Sequence, residues 1–384
     1  MSIFSKAAGY APRLANYILF LIAICSTLVS PVCGAVVGGY AISTTSHVIF
    51  VDGDGLDVLA VPTDTVNNLT GLANGNVVGR MGADAWRLYD ASGVTLTTRT
   101  LDNSGTFNDA APVGGGGYAA VSDTHVIFMA ADGDTVNTVT TDSLTFVSPL
   151  TNGNLVGYMG SDNWRTYTST GGTVATRNLD NLGVHNASAA KGGGGFVDVT
   201  SARLIFVAAD GTSIDAIVDD PPVVNVTTLS NGNVVGRFLT DVWRLYDPNG
   251  NAIFTRQLDN LGTFAGAAAV GGGGYVAYSN THAIFVAADG NTVNNVLVNS
   301  LEFVTSLNNG NVVGRLIGTD DWRLYDPLGN ILATRTLDNL GTFTGAAPTG
   351  LAFIPEPATG LLALIAVPFI AKRLRRYRRQ LAFH

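Results

Sequence analysis

Lysine, glutamate and cysteine are nearly missing from this chain, with three, two and two among 384 residues. Charged residues of all kinds make up 13%, about half the usual share of a soluble protein. Two cysteines, Cys25 and Cys33, exclude a disulfide scaffold and a four-ligand zinc site. A formal charge of −8 excludes the basic footprint of a nucleic-acid binder. There is no nucleophile elbow, no zincin motif and no Cys/His dyad, and outside the last thirty or so residues the only glutamate is Glu302. Glycine is what the chain has in excess, at 46 residues. With 13 prolines this stays below the low-complexity range, so the chain is neither disordered nor collagen-like.

The basic residues that do occur are unevenly placed. Lys6 and Arg13 precede an apolar run at 17–32 and then Cys33-Gly34-Ala35. A charged start, a short apolar core and small residues at the exit predict a secretory signal peptide over 1–35, cleaved after Ala35. Both cysteines leave with it, so the exported protein is expected to carry none. At the other end Pro355-Glu356-Pro357 is followed by an apolar stretch at 358–371 and by Lys372, Arg373, Arg375, Arg376, Arg378 and Arg379. Arginines after a short apolar helix hold that end at the cytoplasmic face. Set those eight basic residues aside and 13 remain against 29 acids, a balance of −16.

The order Pro-Glu-Pro, apolar helix, arginine cluster resembles the PEP-CTERM sorting signal of Gram-negative bacteria, and the resemblance covers 351–384. It implies that Pro355, Glu356 and Pro357 are read by an exosortase-type processing enzyme. It also implies a membrane-anchored intermediate, held in the inner membrane by the C-terminal helix, and final delivery to the cell surface or an exopolysaccharide matrix.

Between the two ends, 36–350 is a fourfold repeat. Tryptophan recurs at Trp86, Trp164, Trp243 and Trp322, spaced by 78, 79 and 79 residues, each in a Trp-Arg-x-Tyr pattern. Asn-Gly-Asn begins at Asn74, Asn152, Asn231 and Asn309, and Leu-Asp-Asn at Leu101, Leu179, Leu258 and Leu337. Four-glycine runs begin at Gly114, Gly192 and Gly271, and Gly38-Gly39 opens the first copy. Each copy divides again, with Ile284-Phe285-Val286 lining up with Trp322-Arg323-Leu324, which makes eight units of about 39 residues. In the last unit, strand signals fall at 312–316, 322–326, 331–337 and 341–345, separated by Asn-Gly, Asp-Gly and Gly-Asn turns suited to tight hairpins. No stretch between 36 and 353 has a helical period. The expectation is an all-β chain: a β-propeller of eight four-stranded blades, flanked by the signal helix and the C-terminal membrane helix. The repeats resemble the degenerate propeller repeats of bacterial surface proteins. The competing architecture is a row of four separate 78-residue β-domains.

Four sets of residues are candidates for chemistry. Alternation along the Trp-Arg-x-Tyr strand puts Trp322 and Leu324 on one face and Arg323 and Tyr325 on the other. Trp86, Trp164, Trp243 and Trp322 are then either blade packing, with arginine pairing an aspartate such as Asp338, or candidate glycan platforms. Asp52, Asp54 and Asp57 form a partial calcium-like pattern that the other copies keep only in part, and a hairpin turn is the simpler account. The glycine runs lack the Lys-Ser/Thr and the helix of a phosphate loop, and read as flexible junctions or close backbone approaches. His47, His125 and His282 share one repeat position, which Arg203 fills in copy three. In a ring they lie too far apart for a shared metal. No cofactor is called for. Asp219-Asp220-Pro221-Pro222 is the least repeat-like turn and the expected special loop. The function expected is that of a non-catalytic exported scaffold or binder, with exopolysaccharide as the candidate partner. The alternative is a propeller enzyme acting on extracellular polysaccharide, a glycoside hydrolase or lyase. An enzyme needs one asymmetric site, so departures from the repeat discriminate between the two.

Overall fold

The computed structural model describes residues 38–350, apart from 102–103, 141–143, 145, 161–162, 180–184, 219–222, 239–240, 259–260, 299–300 and 338–339. The signal segment 1–35, the tail 351–384, the Asp219-Asp220-Pro221-Pro222 turn and Asp338 lie outside the described residues.

Thirty-two strands make eight four-stranded antiparallel sheets. Blade 1 takes β1 (Tyr40–Thr44), β2 (His47–Val51) and β3 (Val58–Pro62) from the start of the ring. Blade 2 is β4 (Val66–Gly71), β5 (Val77–Met81), β6 (Ala85–Tyr89) and β7 (Thr95–Thr100). Blade 3 is β8 (Phe107–Pro112), β9 (Tyr118–Ser122), β10 (His125–Met129) and β11 (Thr135–Thr140). Blade 4 is β12 (Phe146–Pro149), β13 (Leu155–Tyr158), β14 (Asn163–Tyr167) and β15 (Thr173–Asn178). Blade 5 is β16 (His185–Ala190), β17 (Phe196–Thr200), β18 (Leu204–Val207) and β19 (Ile214–Val218). Blade 6 is β20 (Val223–Thr228), β21 (Val234–Phe238), β22 (Val242–Tyr246) and β23 (Ala252–Gln257). Blade 7 is β24 (Phe264–Ala269), β25 (Tyr275–Ser279), β26 (His282–Val286) and β27 (Thr292–Leu297). Blade 8 is β28 (Leu301–Ser306), β29 (Val312–Leu316), β30 (Asp321–Tyr325) and β31 (Ile331–Thr336). The last strand, β32 (Phe343–Pro348), returns to blade 1 and pairs with β1.

The ring is an eight-bladed β-propeller, and the row of four separate domains is ruled out. Each blade's first strand touches the first strands of its neighbours, so β4, β8, β12, β16, β20, β24, β28 and β32 surround the axis. Two features shift the repeat reading. The fourth strand of each 39-residue sequence unit is the innermost strand of the following blade: β32 follows β31 in sequence but completes blade 1. That one-strand offset lets β32 close the ring on β1. The ladder also moves the half-repeat alignment by one residue. Phe285 pairs with Asn294 as Leu324 pairs with Ala333, so Ala283 holds the place of Trp322.

The core divides into eight apolar clusters, one for each seam between blades. Alternation along the Trp-Arg-x-Tyr strand supplies two seams at once. Trp243 faces blade 7, against Phe264 (ring centroids 5.6 Å apart) and Tyr275 (5.8 Å, stacked). Tyr246, on the other face of the same strand, meets Phe206 of blade 5 at 5.7 Å. Phe50–Tyr89, Phe128–Tyr167 and Phe285–Tyr325 repeat that second contact at 5.6, 5.8 and 5.7 Å.

The glycine runs stand inside blades, between the first and second strands, rather than at junctions between long repeats. They are points of close backbone approach. Gly114, Gly192 and Gly271 each donate an N–H to a glycine carbonyl of the next blade's Asn-Gly-Asn turn, Gly153, Gly232 and Gly310, at 2.8 Å. Gly350 donates to Gly75 at 3.0 Å and completes the series. A side chain at Gly75, whose φ is +86°, would run into the Gly350 backbone, so the closing contact requires glycine there.

Candidate functional site

All four candidate platforms are sealed. Trp86, Trp164, Trp243 and Trp322 are 1, 1, 0 and 2% exposed. An indole enclosed between its own blade and the next has no face to offer a sugar ring, so the glycan-platform reading is corrected to seam packing. The Asp338 pairing expected for Arg323 lies outside the described residues. Arg87, Arg165 and Arg244 donate from Nε to the cross-strand hydroxyls of Thr98, Thr176 and Thr255 at 3.0–3.3 Å.

The three calcium candidates do not assemble a cage. The Leu56 N–H points at both Asp52 Oδ1 and Asp54 Oδ1, 2.8 Å from each, and so occupies with a donor the place a cation would need. Partial burial, and then the neighbouring Asp54 carboxyl, push the Asp52 carboxyl above its ordinary range. The Asp52 hydrogen bond and the Leu56 amide hold Asp54 below it. Among the described residues no three His, Cys, Asp or Glu side chains converge at metal distance. The blade 1 hairpin instead borders an open groove of about 440 Å³ lined by Phe50, Asp52, Asp57, Leu59, Ala91 and Ser92. In other hairpins the aspartate is turn chemistry: Asp90 Oδ1 accepts from the N–H groups of Ser92 and Val94 at 2.9 Å. His47, His125 and His282 begin third strands of blades 1, 3 and 7, and each Nδ1 lies 2.8 Å from the preceding hydroxyl of Ser46, Thr124 or Thr281.

The asymmetry lies elsewhere, at the seam between blades 4 and 5. Three matching seams share a pattern. Trp86, Trp243 and Trp322 meet Phe107, Phe264 and Phe343 edge-on at 5.0–5.6 Å. The second-strand residues Arg80 and Arg237 donate to the carbonyls of Phe107 and Phe264, while the Arg315 guanidinium lies 5.0 Å over Phe343. At the remaining seam His185 takes the phenylalanine position and meets Trp164 edge-on at 5.8 Å. Tyr158 takes the arginine position, its ring 5.2 Å from the imidazole. Asp198 stands where the other copies have Ala120, Ala277 and Ile42, and its Oδ2 pairs with His185 Nδ1. Neither side chain of that pair has any exposure to solvent. Ser188, opposite Asp198 in the ladder, takes the place of Ala110, Ala267 and Ala346, and its hydroxyl lies 2.6 Å from that of Ser148 on blade 4.

Blade 5 carries a second pair at its other end. Lys191, a position held by Val113, Val270 and Thr349 in the other copies, is buried and its Nζ lies 2.8 Å from Asp215 Oδ2. Asp109 on β8 is a further departure. This largely buried carboxyl accepts from Asn68 Nδ2 at 3.0 Å, and burial pushes it above the ordinary carboxylate range.

An aspartate holding a histidine, with serine hydroxyls alongside, has the parts of a general base. Here the imidazole lies against Tyr158 and Trp164, and neither it nor the carboxylate is open to solvent. Sequence reasoning overlooked Tyr158, His185, Ser188 and Asp198 and singled out 219–222. The signal was nonetheless present, as four changes at aligned repeat positions in one stretch of chain.

No family model matches the sequence, and no curated protein does. Solved structures do. Apo AztD from Citrobacter koseri superposes with a TM-score of 0.59 at 13% identity, over 81% of this chain and 98% of that one. BamB from Moraxella catarrhalis gives 0.53 at 14%, over 79% and 92%. The dihydro-heme d1 dehydrogenase NirN gives 0.62 at 11%, over 82% and 75%. At such identities these similarities establish the propeller fold and nothing finer.

Proposed function

We propose that this protein is an exported propeller acting as a non-catalytic scaffold or binder at the cell surface or in an exopolysaccharide matrix. The observation that carries the reading is the pair of terminal signals bracketing one repeat domain, above all Pro355-Glu356-Pro357 with its apolar stretch and arginines. Near-equality of the blades supports it, since seven of eight seams use one of two alternating aromatic pairs, Trp–Phe in three and Phe–Tyr in four, and the tryptophans pack. The acidic balance of the body suits a solvated extracellular domain. The first test is incubation of the exported protein with extracellular polysaccharides, following both retention and chain length. Retention with no shortening of any chain is expected. Turnover of a polysaccharide would overturn the reading.

A second reading, a glycoside hydrolase or lyase, draws on the asymmetry of blade 5. It requires a path from solvent to His185. Turnover abolished by His185→Phe would favour it.

A further inference from the structure

We propose that Tyr158, His185 and Asp198 form a pairing key that prevents the chain from closing at half its length. Ring closure in this protein is non-covalent. The strand β32 reaches β1 across some three hundred residues of chain, with Tyr40 opposite Pro348 and Thr44 opposite Phe343. Three other inner strands are built like β32 and use the same ladder with the same irregularity after their first residue. Phe107 lies opposite Ser122, His185 opposite Thr200 and Phe264 opposite Ser279, as Phe343 lies opposite Thr44. The irregularity recurs in β4, β20 and β28, but those strands place Leu69, Val226 and Val304 where β8, β16, β24 and β32 have the small residues Ala110, Ser188, Ala267 and Ala346, so β1 accepts any of the latter four.

The alternatives differ in what they leave over. Closing on β8 makes two blades, too few for a ring. Closing on β24 makes six and strands two blades with open seams. Closing on β16 is self-consistent: β16 completes blade 1, β32 completes the sheet begun by β17, and two four-bladed rings result with every strand paired. Four blades is the lower end of what propellers use. The four glycines between β16 and β17 would serve as the link.

The departures from the repeat fall at that one junction. In the half-length closure His185 would be buried beside Ile42, with no carboxylate, and Asp198 would be buried beside Phe343, with no imidazole. His185 would be sealed without its carboxylate, which is unfavourable, and Asp198 would meet the Arg315 guanidinium in place of its imidazole, whereas the native ring pairs the two. Tyr158 belongs to the same device. An arginine at its position, as at Arg80 and Arg237, would bring a cation beside the imidazole and a rival partner for Asp198. A buried ionic pair is a weak source of stability but a well-attested means of fixing register among similar partners.

The test writes the common seam into this junction with Tyr158→Arg, His185→Phe and Asp198→Ala. The reporter is a cysteine pair, Ser43→Cys with Ala187→Cys, in full chain whose Cys25 and Cys33 are changed to serine. Ser43 lies opposite Gly345 in the native closure and would lie opposite Ala187 in the half-length one. After refolding under oxidising conditions, the key-less chain is expected to form the disulfide between the two introduced cysteines about tenfold more often, or above, than the chain with its key. A third chain keeps the common seam here and moves the key to the closing seam, with Arg315→Tyr, Phe343→His and Ile42→Asp. It should return to the low level, because in the half-length closure the imidazole introduced at position 343 would be sealed without its carboxylate. Equal cross-linking with and without the key, or no return on moving it, would overturn the proposal.

Discussion

Trp243→Ala should destabilise the ring by about 3–5 kcal/mol, the usual cost of truncating a buried tryptophan. The indole is fully enclosed, stacked on Tyr275 and edge-on to Phe264, and its removal opens a cavity between the two sheets. For a domain of this length the loss corresponds to a melting point lower by roughly 6 °C. Leu297→Ala is the control, since Leu297 is 72% exposed and its truncation should stay within about 0.5 kcal/mol. Thermal or denaturant unfolding of the two variants checks both. An unchanged melting point for Trp243→Ala would contradict the packing role and reopen the platform role.

Asp198→Ala should cost a similar amount, about 3–5 kcal/mol, for a different reason. The substitution removes little volume, but it leaves His185 sealed against Tyr158 and Trp164 without its carboxylate. Adding His185→Phe should recover most of the loss, because phenylalanine with alanine is the pairing the chain already uses at Phe107 with Ala120 and at Phe264 with Ala277. A double-mutant cycle measures the coupling directly. If the two losses simply added, the side chains would not be acting as a pair.

Much of this fold was legible because it is periodic. Tryptophan spacing, Asn-Gly-Asn turns and the division of each copy in two led to eight four-stranded units, and the ring has them. Which strand lies innermost was not legible. A hairpin pattern reads the same from either edge of a sheet, so 341–345 looked like the end of one blade when Phe343–Pro348 begins another. The one-residue shift at Phe285 has a related cause: both halves carry the same irregularity, after Phe285 and after Leu324, and only the ladder shows that these two residues correspond. The role of the tryptophans was open for a different reason. Alternation assigns a side chain to a face, but only the neighbouring blade decides whether that face is solvent or core. The blade 4–5 seam was visible in principle, since Phe-to-His and Ala-to-Asp stand at aligned positions. Their meaning needed the pairing of β16 with β17, which brings Asp198 to His185 from thirteen residues away.

The claim that most needs testing is export through the tail, on which the scaffold reading rests. Pro355, Glu356 and Pro357 should be changed to alanine together and cells fractionated, with termini determined by mass spectrometry. The account predicts that the unaltered protein reaches the surface without residues 1–35, while the altered one stays at the inner membrane with its basic tail attached. Surface delivery of the altered protein at the normal level would contradict it.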